Sequence, residues 1–204
     1  MSFVGRTLIP APHGQLEAIY QPLPAAERIA VVMHPHPLYG GTMHNKVVYR
    51  AAKALEAAGF ATLRFNFRGV GDSSGSHDGG RGAAEDARVA LNYLLAHQPA
   101  ARELVIAGFS FGAAVTLRFG CAETRAHSLI AIATPADWLD AGLLTGCGKP
   151  IAFIHGDQDD VAPLARLERL VSRDRIRVIR GADHFFMDHL EELQAAVADA
   201  VTAA

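Results

Sequence analysis

G-F-S-F-G, Gly108 to Gly112, lies between the apolar run E-L-V-I-A-G-F (103–109) and A-A-V-T-L-R-F, which continues with helical character. A serine at such a strand-to-helix turn is lifted above the sheet. Its flanking glycines let neighbouring backbone approach, and the following helix aims free N–H groups at charge developing beside Ser110. A hydroxyl is a poor nucleophile unless a base takes its proton, and the base needs an acid to hold its ring. The stretch I-H-G-D-Q-D-D-V-A-P (154–163) supplies carboxylates at Asp157, Asp159 and Asp160 after a later apolar run, and G-A-D-H-F-F (181–186) supplies His184 after the last one. Taken singly, these are a solvated acidic turn and a histidine ahead of the final helix. Taken with Ser110, all at the carboxyl ends of apolar runs, they point to acyl transfer.

Two other motifs invite chemical readings. H-P-H-P-L-Y-G-G (34–41) pairs His34 and His36 at a spacing that could begin a zinc site. A catalytic zinc needs a third protein ligand, and no HExxH, cysteine or carboxylate stands at a diagnostic distance. The loop G-V-G-D-S-S-G (69–75) follows an apolar run, but its spacing is GxGxxxG, and no helix opens directly after it, unlike a dinucleotide site. The expectation is therefore no metal and no cofactor. Cys121 and Cys147 have no CxxC or Cys/His spacing and read as buried or idle thiols.

These groups must be held by a scaffold. Runs rich in Val, Ile and Phe at 28–34, 60–67, 103–109, 128–133, 151–156 and 176–181 read as buried parallel strands. Segments with helical periodicity alternate with them, among them 47–59, closed by Gly59, and 83–95. The alternation predicts an α/β fold with a mostly parallel central sheet and helices on both faces. T-L-I-P-A-P and Q-L-E-A-I-Y, separated by H-G, read as an antiparallel hairpin at the sheet edge. With 204 residues, half of them hydrophobic, and no repeat or low-complexity linker, residues 1–204 are expected to form a single domain, with 69–80 as an internal loop. Nineteen basic residues against twenty-one acidic ones, with no long run of either sign, provide no footprint for nucleic acid or an anionic membrane. The opening M-S-F-V-G-R-T-L-I-P lacks the features of a secretion signal, and no run of about 18 apolar residues occurs, so a cytoplasmic location is expected.

Together these motifs resemble the α/β-hydrolases over almost the whole chain, including the order Ser, Asp, His. The family's H-G-x-x-D-x-x-V-P segment matches His155, Gly156, Asp159 and Pro163, which implies Asp159 as the triad acid. Ala162 stands where the family has valine, with Val161 one place early, so Asp160 stays an alternative and Asp157 a more distant one. F-R-G-x-G-x-S, Phe67 to Ser73, matches a loop that is structural in the family. H-P-H-P-L-Y-G-G-T-M followed by a helix resembles a subgroup of small, capless hydrolases, similar to dienelactone hydrolases and esterases. The resemblance implies an oxyanion hole made by the N–H of Phe111 and one from the HPHP stretch. Pro35 and Pro37 have no N–H, which leaves His36 first and Leu38 second. About seventeen residues separate the strand ending near Ala133 from that beginning at Ile151, too few for a cap domain. An open site follows, with Trp138, Leu139, Phe109 and Phe111 as candidates for an apolar pocket. The implied activity is hydrolysis of a carboxylic ester of a small to medium acyl group, through an acyl-enzyme and without a cofactor. The alternatives are thioester hydrolysis and a non-catalytic binding role on the same fold, while nothing marks a peptide-binding module. The expected partner is a small-molecule acyl substrate.

Overall fold

In the computed structural model, which describes residues 5–202, the apolar runs pair into one sheet. Its strands are β1 (Gly5–Ala11), β2 (Gly14–Gln21), β3 (Arg28–Met33), β4 (Ala61–Phe65), β5 (Glu103–Phe109), β6 (Ser128–Ile132), β7 (Ile151–Gly156) and β8 (Ile176–Ile179). The spatial order is β1-β2-β4-β3-β5-β6-β7-β8. β1 pairs antiparallel with β2 and β2 with β4, and every pairing from β4 through β3 to β8 is parallel. Burial explains the difference in sequence character. The inner strands are covered on both faces and are almost continuously apolar, whereas β1 alternates and tolerates Pro10 because it is an edge strand.

α1 (Lys46–Ala57) and α6 (Leu190–Thr202) cover one face through Val48, Leu55, Leu193 and Val197. α2 (Ala83–His97) and α3 (Phe111–Ala122) cover the other through Leu91, Leu94, Ala113 and Leu117, joined by the short α4 (Ala141–Gly146) and α5 (Leu164–Leu167). Asn45 caps α1 by accepting from the Val47 N–H at 2.9 Å, and the helix closes where Gly59 takes φ 88°. The excursion between β6 and β7 holds only a turn of 3-10 helix at Ala136–Trp138 and the six-residue α4, so no cap domain lies over the sheet. Among the described residues no helix is long and apolar enough to cross a membrane. The first four residues, part of the segment expected to carry no secretion signal, lie outside the described range.

The loop at 69–80 is fixed from both sides. The Arg68 guanidinium holds the fully buried Asp86 at 2.7 Å, with Glu85 and Asp78 beside it, and these carboxylates raise its pKa above the ordinary arginine value, the hydrogen bond to Asp86 contributing most. Ser73 Oγ donates to the Asn66 carbonyl at 2.7 Å and accepts from the Glu17 N–H at 2.9 Å. His13 joins Glu85 and Asp86 in a group with metal-ligand chemistry, but Arg68 already occupies both carboxylates.

The cysteines correct the expectation of idle thiols: Cys121 and Cys147 form a disulfide, with Cα atoms 5.0 Å apart. They are 26 residues apart, and no local motif announces a pairing that only the packing of the β6–β7 excursion against the end of α3 creates. The bridge ties that excursion, with Trp138 in it, to the helix that begins beside Ser110. Closing a loop of this length restricts the unfolded chain by about 3 kcal/mol in the entropic account. Replacing both cysteines by serine is therefore expected to lower unfolding free energy by up to that amount in urea titrations without reductant. Unfolded wild-type protein prepared without reductant should show no reactive thiol, and two free thiols would contradict the pairing.

Candidate active site

Ser110 sits between β5 and α3 at φ 54°, ψ −115°, a conformation that costs an ordinary residue free energy and persists only where its surroundings enforce it. Two glycines make the turn possible. A Cβ on Gly108 would run into the Gly112 carbonyl, and one on Gly112 into the carbonyls of Met33 and His34 at the end of β3. The Ser110 N–H donates to the Ile132 carbonyl at 2.9 Å, tying the turn to β6. Ala133, where the chain leaves β6, and Phe186, two residues past His184, also have positive φ, at 47° and 53°. Of the four non-glycine residues with positive φ among the described residues, three thus follow the carboxyl ends of parallel strands, and the fourth, Ala25, precedes β3.

That edge brings the three sequence-predicted side chains together. His184 Nε2 lies 3.0 Å from Ser110 Oγ, and its Nδ1 lies 2.8 Å from Asp159 Oδ2. An ionised carboxylate can only accept, so Nδ1 donates and Nε2 is left to accept the serine proton. Asp159 is buried, and its Oδ1 accepts from the N–H groups of Val161 at 3.0 Å and Ala162 at 2.7 Å. Those bonds leave Oδ2 free to meet His184 and need no valine side chain, since both donors are backbone N–H groups. Asp160 is exposed beside it, and Asp157 accepts from the Gly181 N–H at 2.7 Å instead.

His155, the first residue of the H-G-x-x-D segment, is buried against the acid loop. Its Nε2 donates to the Ala162 carbonyl at 2.6 Å and stands 3.5 Å from Asp159 Oδ2. Burial pushes its pKa down, partly offset by the Ala162 carbonyl and the Asp159 charge, so the ring is neutral. It thereby supports the turn that Asp159 needs.

The HPHP stretch divides its two histidines. His34 is fully buried: its Nε2 accepts from the Phe67 N–H at 3.0 Å, and its Nδ1 donates to the Pro35 carbonyl at 2.6 Å. Both nitrogens are engaged, which leaves none for a metal. Burial lowers its pKa to about 4, against an opposing effect of the Pro35 carbonyl. His34 therefore works as a neutral strut between the loops after β3 and β4. The ring of His36 lies outside, against Tyr39 and His77 at 4.8 Å each and Phe111 at 5.2 Å. Its Nδ1 accepts from the Leu38 N–H at 3.2 Å. Leu38 thus has its N–H engaged, and Pro35 and Pro37 have none. The His36 N–H has no acceptor among the described residues, and the His36 ring lies against Phe111, whose own N–H has no partner within the helix.

A cavity of about 80 Å³ opens beside Ser110, between Ala136 and Trp138 on one side and Val161, Pro163 and Arg166 on the other. Arg166 pairs there with Asp137. Of the apolar candidates, Trp138 lines this cavity, whereas Leu139 packs on the core and Phe109 is buried with its ring against His184 at 5.1 Å. Phe111 is also buried, its ring against Phe67 and His36. The unbroken apolar run of a strand covered on both faces assigns Phe109 to the core, but the pairing of Asp137 with Arg166 has no sequence signal. A larger hollow of about 520 Å³ between α1 and α6 does not reach Ser110.

Residues 26–149 match the Hydrolase_4 family, described as serine aminopeptidase, S33. The chain belongs to this family of α/β-hydrolases. An uncharacterized protein of Rickettsia prowazekii is 37% identical over 201 residues, covering 92% of this chain and 84% of its own. Among solved structures, the hydrolase is similar to a protein of unknown function from Agrobacterium tumefaciens, described as an α/β hydrolase. That match has a TM-score of 0.90 and 34% identity over 97% of this chain and 94% of the other. It is also similar to an α/β serine hydrolase without a lid from Xanthomonas campestris, with a TM-score of 0.85 and 34% identity over 98% and 94%. The fold class agrees with both, and the lack of a cap agrees with the structure from Xanthomonas campestris.

Two outcomes follow for the hydrolase. Because Asp159 rather than Asp160 touches His184, Asp159→Asn should cut hydrolytic turnover by about 10⁴, with Asp160→Asn close to wild type; the reverse order would move the acid by one residue. The second concerns pH. His34 titrates near 6.5 when unfolded and about 4 when folded, so the unfolded chain binds the extra proton between those values. The stability it contributes is intact above pH 6.5 and lost as pH falls toward 4, by about 3 kcal/mol in all. The lowered pKa of His155 acts in the same direction. Urea midpoints measured across this range should fall less steeply for His34→Gln than for wild type, and parallel curves would remove His34 from the balance.

Proposed function

We propose that the protein is a serine esterase that cleaves carboxylic esters of short, uncharged acyl groups. The observation that carries this is the continuous hydrogen-bonded line from Asp159 through His184 to Ser110 beside a cavity of about 80 Å³. Ser110 Oγ attacks the ester carbonyl carbon as its proton passes to His184 Nε2, and the resulting oxyanion is met by the N–H groups of Phe111 and His36. Collapse of this intermediate breaks the bond to the alcohol, which leaves with the proton from His184. Water then attacks the acyl-enzyme, gives its proton to His184 and releases the acid, and the proton returns to Ser110 Oγ. Asp159 holds the ring and balances the imidazolium in both halves. No cofactor enters this sequence.

The size and charge of the cavity support the acyl specificity. Pockets that enclose drug-sized ligands run to about 300–1,000 Å³, so this one accommodates only a few heavy atoms. Its acid, Asp137, and its base, Arg166, neutralise each other, which favours an uncharged group. The same pairing disfavours the aminopeptidase reading that the family description suggests. A substrate with a free α-ammonium on its acyl side needs an unpaired carboxylate there, and the Asp137 carboxylate is engaged by Arg166. The folded protein is expected to react with a fluorophosphonate probe at Ser110, and Ser110→Ala to lose both labelling and ester hydrolysis while unfolding at the same urea concentration. Undiminished labelling of that variant would place the nucleophile elsewhere.

A further inference from the structure

The exposed apolar side chains are not scattered. Among the described residues nine large hydrophobics are exposed, and six of them, Leu38, Tyr39, Trp138, Val161, Phe185 and Met187, lie in the loops after β3, β6, β7 and β8. These strands are parallel, so their carboxyl ends share the edge that carries Ser110. Ring contacts place three of them against the histidines of the site. Phe185 lies 5.2 Å from the His184 ring, and Tyr39 and Trp138 lie 4.8 and 5.8 Å from the His36 ring. Tyr39 is 85% exposed and Phe185 48%, although each could have been polar without any cost to the core.

The charge on this rim is one-sided where it borders His184. Asp157, Asp160, Asp183 and Asp188 are exposed in the loops after β7 and β8, against Arg180, while Arg166 is paired with Asp137. The leaving group must lie within reach of His184 Nε2, which protonates it, and therefore against Phe185 and in the field of these carboxylates. Such a field repels anions approaching the site.

From this juxtaposition we infer that the leaving group is a large, apolar, uncharged alcohol or thiol spread over Tyr39, Phe185 and Met187, and that thioesters of polyanionic carriers such as coenzyme A are excluded. This rests on the esterase reading above and adds the second half of the substrate. The acyl part is enclosed and short, while the leaving part is open and bulky. Anionic membrane surfaces are disfavoured by the same carboxylates.

The test holds the acyl group constant as acetyl and changes what leaves. With S-2-(2-naphthyl)ethyl thioacetate and acetyl-coenzyme A, which both release an alkyl thiol of similar acidity, kcat/KM should favour the naphthyl compound by at least about a hundredfold. The gap should narrow as added salt screens the rim. Tyr39→Ser and Phe185→Ser should each lower the preference for 1-naphthyl acetate over methyl acetate by about tenfold, mainly through KM, which is the scale of one partly buried aromatic contact. Equal or faster turnover of acetyl-coenzyme A would overturn the inference while leaving the esterase reading intact, provided the probe still labels Ser110. Unchanged preferences together with a change of oligomeric state in light scattering would instead make the rim an interface between copies. Failure of the probe to label Ser110 would count against the esterase reading itself.

Discussion

The positive φ of Ser110 is the constraint around which this molecule is arranged. It can be held only if Gly108 lets the backbone of Gly112 close over it and Gly112 lets α3 approach the end of β3, since any side chain at either place would meet a carbonyl. That close approach sets the distance between β3 and the nucleophile, and hence the place of the HPHP loop that leaves β3. The bond from Ser110 N–H to the Ile132 carbonyl fixes the other side and brings β6, with its strained exit at Ala133, into the same group. Parallel strands pay for such an arrangement in their connections, each needing a helix to return the chain, and gain a shared edge where loops from distant parts of the sequence meet.

Buried histidines do structural work at this edge that is distinct from the chemistry of His184. His34 and His155 each donate to a carbonyl of a loop that must hold its shape, and burial keeps both neutral. A lysine or arginine in their places would carry a charge into a site that already holds the Asp159 carboxylate, and an aliphatic residue would leave the Phe67 N–H and two carbonyls unpaired. Imidazole supplies a flat donor, and in His34 also an acceptor, without a charge. The H-P-H-P motif therefore looks like a ligand set in sequence because both roles use the same side chain. In the structure one histidine braces the loop and the other flanks the reacting centre.

Much of the scaffold was legible because it rests on local signals. Continuous Val/Ile runs mark the buried strands, Gly59 marks the end of α1, and the alternation of strand and helix prescribes a parallel sheet. The nucleophile was legible for the same reason, since G-F-S-F-G is a backbone requirement written in glycines. Asp159 was distinguishable from Asp160 only by resemblance, because the choice depends on which carboxylate the turn at Val161 and Ala162 directs inward. The disulfide, the Asp137–Arg166 pair and the contact of His77 with His36 depend on how segments 26 to 41 residues apart pack, and no periodicity or spacing encodes them. Phe109 and Leu139 show the converse: an apolar residue near a nucleophile reads as pocket lining until burial assigns it to the core.

The edge thus combines a rigid floor with an uncovered rim, and the lack of a cap domain makes that combination consequential. Relatives with caps can enclose a substrate and exclude water by closure. Here the floor must position the reacting carbonyl unaided, which accounts for how much of it is fixed by strained turns, buried histidines and the Cys121–Cys147 bridge. The rim has no such duty and keeps its apolar side chains in water, where they cost solubility and contribute nothing to the core. Their retention beside an acidic border is intelligible if binding there is by apolar area and rejection there is by charge. Specificity for the leaving group would then come mostly from what the open edge repels, because the cavity of about 80 Å³ with its Asp137–Arg166 pair acts on the acyl side alone.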